Sequence, residues 1–487
     1  MSVALPPSRH APRPLQTLAG RLGAIVVTVA AGVVLGLQYV TPNKRVLAVI
    51  TALLLFGVTW RIDMVSALGV LALALPFPRS TVFGSTNLAF VLLMLVIWLL
   101  RVAQRQMAPP RRTPLDAVMV ALFISYVVSF YNIANGVELT LALERFEIIV
   151  ACMLMFFVVV NTVRTEDDFR RLLHFQAAAV AAICLLGVWE LANPGSTLVP
   201  GWIDFRATLG QVFSTRGVRP GSMFYDFELL SEFCALNTVT VLFLLLRAGS
   251  GARRVLFGAL LGVVVFMLFA TCTRGSIISL VVGLPYFMWL IRRRLTFVGT
   301  VTVLALGVAI VLGMEFYVTN FTRSGSVFER LAQTTFVGYI PDSRVEAWSG
   351  AWERIFEHPL IGHGPYYSAR TGTRIWFWPH CLYLYVANNI GFIGLAIFLW
   401  FLFTLVRLSR PRTDDLVKGP YLQSYMIIAH VQMIVFMVDQ IKIEYLRNTI
   451  YQFQVWLTFA LLVAAHQIAH NPPAPAAARP APEPARP

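Results

Sequence analysis

Long apolar runs recur from one end of the chain to the other, and many reach about 18 residues, the length at which a helix begins to cross the hydrocarbon core of a bilayer. Inside lipid, every backbone N–H and C=O must be satisfied within its own segment or within a closed barrel. Barrel strands would alternate apolar and polar residues over ~10 positions, and these runs show no such alternation. The sequence therefore reads as all-α, a polytopic helical membrane protein. Only 13% of its 487 residues are charged, against about 25% in a typical soluble domain. That composition excludes an ordinary soluble enzyme.

The runs fall at 22–40, 46–60, 64–78, 87–103, 115–131, 144–161, 171–192, 225–246, 255–272, 276–291, 296–316, 380–406, 420–438 and 450–469. That makes about fourteen spans, or twelve to thirteen if the short second and third are not separate crossings. The organisation follows. Residues 1–21 form an N-terminal segment, 22–316 the first part of the bundle, 317–379 a large polar loop, 380–470 the rest of the bundle, and 471–487 a Pro/Ala-rich tail expected to be disordered. Arg9, Arg13 and Arg21 before the first run resemble a signal sequence. The run itself is long enough to span, so it is read as an uncleaved anchor.

Charge gives the orientation. The net charge of +15 is carried mainly by arginine; the lysines are Lys44, Lys418 and Lys442. These charges punctuate the spans instead of forming one basic domain, which argues against nucleic acid as a partner. With the N-terminus in the cytoplasm, the inner loops hold Arg61, Arg101, Arg105, Arg111, Arg112, Arg164, Arg170, Arg171, Arg247, Arg253, Arg254, Arg292–Arg294, Arg407, Arg410, Arg412 and Lys418. This fits the positive-inside rule. Three outer places break it: the 193–224 loop with Arg206, Arg216 and Arg219, Arg274 at the start of a span, and the 317–379 loop with Arg323, Arg330, Arg344, Arg354, Arg370 and Arg374. Either long loops translocate regardless of charge, or the outer cations bind an anion.

The 317–379 loop holds most of the residues with chemical potential. Ser343-Arg344-Val345-Glu346 reads as a capping box that opens a helix to about Glu357. Val345, Trp348, Trp352 and Ile355 would form its apolar stripe. Arg344, in the first turn, either grips a phosphate or pairs with Glu346 or another acid. The turn Pro359-Leu360-Ile361-Gly362-His363-Gly364 follows, where His363 either touches substrate or sits in solvent. Pro379 fits a first helical position, which would put His380 in the opening turn of the next span. The helix dipole there disfavours imidazolium, so His380 would be a neutral base. Arg274 opens another span beside Gly275, which allows a close approach. Arg216 and Arg219 flank Gly217 as surface residues or phosphate contacts. The outer acids Asp342, Glu346 and Glu353 do not form a metal cluster, and no nucleotide-binding loop is present. No metal and no cofactor are expected. The five cysteines read as small apolar fillers. Cys272 and Cys381 each lie within two residues of a candidate site residue, close enough to raise the question of a disulfide.

These pieces, in this order, resemble the bacterial O-antigen ligase and O-antigen (exopolysaccharide) polymerase superfamily. The resemblance spans roughly residues 220–440. It rests on Thr273-Arg274-Gly275, on Asp342-Ser343-Arg344 before a Trp-containing helix, on Pro359-Leu360-Ile361-Gly362-His363-Gly364, and on His380-Cys381 followed after nine residues by Gly391-Phe392-Ile393-Gly394. Cys381 departs from the pattern, since ligases usually carry Asn, Ser or Gln there. The resemblance implies a C-type membrane glycosyltransferase, metal-independent, in the bacterial inner membrane with its site facing the periplasm. The implied donor is a glycan on undecaprenyl pyrophosphate. The implied acceptor is another lipid-linked glycan in a polymerase, or lipid A-core in a ligase, and Cys381 tilts the reading towards polymerase. His380 would be the catalytic residue, and Arg274, Arg344, Arg216, Arg219 and His363 the pyrophosphate or substrate contacts. A transporter or flippase of lipid-linked glycans is the reading from another class. It would need charged or broken helices near the midplane and internal repeats, and the sequence shows no repeat.

Overall fold

The structure, a computed structural model, describes residues 56–57, 59–74, 86–193, 196–199, 203–204, 218–294, 296–322, 325–337, 340–367, 370–371, 374–375 and 378–470. The expected first span, most of the second, Arg206, Arg216, Arg323 and the tail from 471 lie outside these residues. The chain divides into two compact units, residues 1–62 with 80–84, and residues 63–79 with 85–487. In the first, Phe56 and Trp60 stack on successive turns of helix. All that follows concerns the second.

Among the described residues, twelve helices coincide with twelve of the expected spans. They are α1 (Met64–Ala74), α2 (Thr86–Ala103), α3 (Asp116–Ser129), α4 (Gly136–Thr162), α5 (Glu166–Ala192), α6 (Phe227–Leu246), α7 (Gly251–Ala270), α8 (Arg274–Ile291), α9 (Phe297–Phe321), α12 (Leu382–Leu408), α13 (Tyr421–Asp439) and α14 (Thr449–His470). Two further helices, α10 (Val327–Ala332) and α11 (Asp342–Glu357), lie in the 317–379 loop. Eight helices among the described residues are long and apolar enough to cross a membrane, and the protein is an all-α multi-pass membrane protein. Among the described residues, three short antiparallel strand pairs, Thr197–Val199 with Ile203–Asp204, Phe336–Val337 with Ile340–Pro341, and Arg370–Thr371 with Arg374–Ile375, lie in the connections.

Local sequence sets the helix starts. Asn135, Thr165, Asp226, Ser250, Thr296 and Ser326 each accept a backbone N–H from the first turn of the helix that follows, satisfying a donor the helix itself leaves unpaired. Thr165 and Asp168 form a reciprocal capping box. The central helices α6, α13 and α14 are buried over most of their length, whereas α9 presents almost all of its surface outward.

The connections sort to two ends of the bundle. At one end, Arg164 donates to the carbonyls of Ala108 and Pro109, Arg247 to those of Val417 and Gly419, and Gln467 to that of Arg112. Arg294 faces Asp414 at 3.2 Å and Asp415 at 3.7 Å. These are the loops in which the sequence gathers its arginines. The opposite end carries the 218–226 turn, the starts of α6, α8 and α12, helices α10 and α11, and the α13–α14 connection.

At that second end α12 is broken. Gly391 has φ +69°, inside an otherwise continuous helix. The turn after α11 fills the break: Phe392 N–H donates to the Pro359 carbonyl (2.7 Å), His363 N–H to that of Asn388 (2.9 Å) and Gly364 N–H to that of Asn389 (3.0 Å). A Cβ on Gly391 would strike the Leu360 backbone, and one on Gly362 (φ +73°) the Asn389 backbone. Gly362 and Gly391, one from each sequence signature, are thus explained by one close backbone crossing.

Candidate functional site

The 218–226 turn is tied down from two sides. Arg219 is buried, and its guanidinium donates to the Thr271 carbonyl (2.8 Å) and the Thr273 hydroxyl (3.1 Å) while lying over the Phe227 ring, 3.3 Å from the centroid. Burial, together with the nearby Arg330, pulls its pKa down to about 9. The Glu190 carboxylate accepts the backbone N–H groups of Gly221 and Ser222. The turn then delivers Asp226 as the N-cap of α6 and Glu228 in its first turn. Arg219, a candidate anion contact in the sequence, is here a brace between this turn and the α7–α8 turn.

Around Glu228 the site assembles. Its carboxylate stands 3.4 Å from Arg344 Nη2, 3.6 Å from His380 Nδ1 and 2.9 Å from Arg447 Nη2. Arg447 also reaches Asp226 (2.7 Å), Glu444 (3.7 Å) and His380 Nδ1 (3.1 Å). Burial alone would lower the Arg447 pKa, but the three carboxylates outweigh it and raise it. Glu444 is fully buried, and neither of its oxygens makes a hydrogen bond among the described residues. Burial pushes its carboxyl up, against the pull of Arg447 and His380.

Each member comes from a different element. Arg344 lies in the first turn of α11. That helix begins at Asp342, so Ser343 sits inside the helix and not before it. Ala351 and Ile355 pack α11 against Cys381, Leu384 and Ala387 at the start of α12, with Trp348 alongside. Trp352, in contrast, turns outward and stacks on Phe356. Arg344 pairs with Glu228, while Glu346 stays exposed.

His380 departs from its expected place. α12 begins at Leu382 with Cys381 as N-cap, so His380 precedes the helix in a left-handed conformation, φ +47°. It is therefore outside the first turn, and the dipole argument for a neutral ring does not apply. The adjacent Trp378 stacks on Tyr385, and Leu382 N–H donates to the Gln440 carbonyl. Both contacts fix the approach to His380. Of the five non-glycine residues with positive φ among the described residues, Ser222, Tyr225, Cys272 and His380 all belong to this end. Such strain collects where surrounding structure holds a residue in place for a task.

Arg274 is the first residue of α8, as expected. Its guanidinium donates to the Arg330 carbonyl and the Thr334 hydroxyl, and Arg330 in turn donates to the Cys272 carbonyl. Beside it, Lys442 fills the space that Gly275 leaves open, and its ammonium lies 3.0 Å from Asp439 and 3.2 Å from the Ser276 hydroxyl. His363 is neither in solvent nor beside the Glu228 cluster. It is buried, and its Nε2 lies 2.7 Å from the Arg354 carbonyl. Burial lowers its pKa. All five cysteines are free thiols. Cys272 contacts the Gly325 carbonyl, and Cys381 is packed among apolar side chains.

Sequence reasoning thus brought Arg344 and His380 to the site but missed Asp226, Glu228, Glu444 and Arg447. The acids come from outside the 317–379 loop, from the start of α6 and from 440–448. One signal was present. Lys442 and Arg447 fall in the short α13–α14 connection, which the sequence reading puts on the outer side, where the positive-inside rule disfavours cations.

Residues 257–399 match the family model described as O-antigen ligase. This stretch belongs to the O-antigen ligase and polymerase superfamily. Members of that family are glycosyltransferase-type enzymes. The matched stretch contains Arg274, Arg344, His380 and both glycine signatures, but stops short of Arg219 and Glu228 on one side and Arg447 on the other. No curated protein matches the chain.

Proposed function

We propose that the protein is a metal-independent glycosyltransferase that takes a glycan from undecaprenyl pyrophosphate at the periplasmic face of the inner membrane, in O-antigen or exopolysaccharide synthesis. One observation carries this reading. Arg344 and His380, from separate elements, meet at the same Glu228 carboxylate, at the end of the bundle away from the arginine-rich loops. By the positive-inside rule that end faces the periplasm.

In this reading an acceptor hydroxyl attacks the anomeric carbon of the donor glycan. A new carbon–oxygen bond forms as the bond to pyrophosphate breaks, and the electron pair leaves with the pyrophosphate. The hydroxyl proton passes to His380, which acts as general base. Arg344 binds the pyrophosphate, with Arg274 as a further contact. Guanidinium donors suit this task, since they match phosphate oxygens in pairs and stay charged. Arg219 supports the turn that presents Glu228, and Arg216 remains a candidate contact on the same loop.

The first acceptor reading is polymerisation onto another lipid-linked glycan. Transfer to lipid A-core is the second, and two observations favour it. The family model is described as O-antigen ligase, and Cys381, whose identity argued against a ligase, packs in the apolar α11–α12 contact and not in the ion cluster. The test is a glycan profile of a deletion strain complemented with the wild type or His380→Ala, with lipopolysaccharide and secreted polysaccharide run side by side. Loss of long chains with single units still transferred means polymerase. Loss of all transfer to lipid A-core, with polymer building up on the carrier, means ligase. An unchanged profile in both fractions contradicts the proposal.

A further inference from the structure

The Nδ1 atom of His380 stands between two groups with opposite demands. Glu228 Oε2, 3.6 Å away, can only accept a hydrogen bond, and Arg447 Nη1, 3.1 Å away, can only donate one. A neutral imidazole carries one proton. If Nδ1 holds it, Nε2 is a bare acceptor and the ring can serve as a base through Nε2. If Arg447 donates to Nδ1, the proton sits on Nε2 and that nitrogen cannot accept another. The choice between these partners therefore decides whether the ring can act as a base. Nε2 itself has no hydrogen-bond partner among the described residues.

Two features favour the Glu228 side. The guanidinium of Arg447 is already committed through Nη2, to Asp226 at 2.7 Å and Glu228 at 2.9 Å. Its Nη1 also faces the Glu444 carboxylate at 3.7 Å, an ion pair too long for a hydrogen bond. Three carboxylates (Asp226, Glu228 and Glu444) surround two guanidiniums (Arg344 and Arg447), and a local excess of acceptors draws a proton towards Nδ1. Arg447 also joins the start of α6 to the α13–α14 connection, and its own carbonyl accepts from Arg145 of α4. It is thus fixed from three sides and can hold Glu228 in place.

We infer that Glu228, held by Arg447, is the positioning residue that sets the tautomer of His380, with the proton on Nδ1 and Nε2 free to receive the acceptor's hydroxyl proton. This rests on the reading of His380 as the base. Glu228 and Arg447 lie outside the stretch matched by the family model, and the sequence motifs do not single them out.

The experiment is nitrogen NMR on the full chain in nanodiscs, labelled with 15N-histidine. The chain has eight histidines, and His380→Ala identifies the signal. The wild type at neutral pH should show a protonated Nδ1 and an unprotonated Nε2. In Glu228→Gln, Arg447 loses its competitor and the proton should move to Nε2. Transfer activity, read as carrier-linked glycan consumed by membranes at matched protein level, should fall about 100-fold or more in that variant, in kcat more than in KM. Glu228→Asp should restore both the tautomer and part of the rate, which a merely structural carboxylate would not do. Wild-type protein with the proton on Nε2 overturns the inference. So does Glu228→Gln with wild-type tautomer and rate. Should His380→Ala itself keep full transfer, the base reading fails instead. Inactive His380→Ala beside an active, unshifted Glu228→Gln removes the positioning role alone.

Discussion

The two ends of the bundle use the same side chains in opposite ways. At the arginine-rich end, Arg294 is 60% exposed and meets Asp414 and Asp415 in water. Neighbouring arginines donate to loop carbonyls. At the other end, Arg447 is 13% exposed and Glu444 fully buried. Exposed pairs contribute about 0–1 kcal/mol, because solvent screens them and long side chains lose freedom. Buried charges are costly to bring out of water, and removing one partner strands the other. At one end only the number of charges matters, and a count tolerates substitution. The other depends on which residue meets which, so it is the end where chemistry can be specific.

Substitutions can break or sharpen that contrast. His380→Ala should leave a folded protein and lower glycan transfer by about 10²–10⁴-fold, measured on membranes at equal protein level. Arg447→Ala should destabilise by about 3–5 kcal/mol, since it leaves Asp226, Glu228 and Glu444 without their shared cation. Thermal unfolding in detergent reads this, and a melting curve like the wild type's would deny that the network is structural. Gly391→Ala forces a side chain into a left-handed position against the Leu360 backbone. About 1–3 kcal/mol should be lost from the backbone conformation alone, with reduced transfer because the start of α12 shifts. At the other end, Arg294→Ala should change stability by less than about 1 kcal/mol and leave transfer intact. A loss there as large as that of Arg447→Ala would erase the difference between the ends.

The fold was largely legible because lipid imposes helices, and helices announce themselves as apolar runs. Twelve runs became helices, with ends shifted by up to eight residues, as where the Asn135 cap starts α4 at Gly136 and the Thr165 cap starts α5 at Glu166. The break at Gly391 was visible only as a pair of glycines. Its cause is the Pro359–Gly364 turn crossing α12, a contact between segments that no local pattern encodes. His380 was singled out by motif but misplaced by one rule: proline at a first helical position is a tendency, and the Trp378–Tyr385 stack and the Gln440 carbonyl accompany a start of α12 three residues later, at Leu382. Glu228 and Arg447 were missed because their partnership joins positions 219 residues apart in sequence. Each alone looks like an ordinary charge at the edge of a span.

The central claim is that chemistry resides in the buried cluster and not in the exposed cations. The most direct measurement is the pool of glycan linked to the undecaprenyl carrier in a deletion strain carrying either His380→Ala or Arg294→Ala, at equal protein levels. The account predicts a pool well above the wild type's in the first strain and a wild-type pool in the second. A wild-type pool in the His380→Ala strain would contradict it.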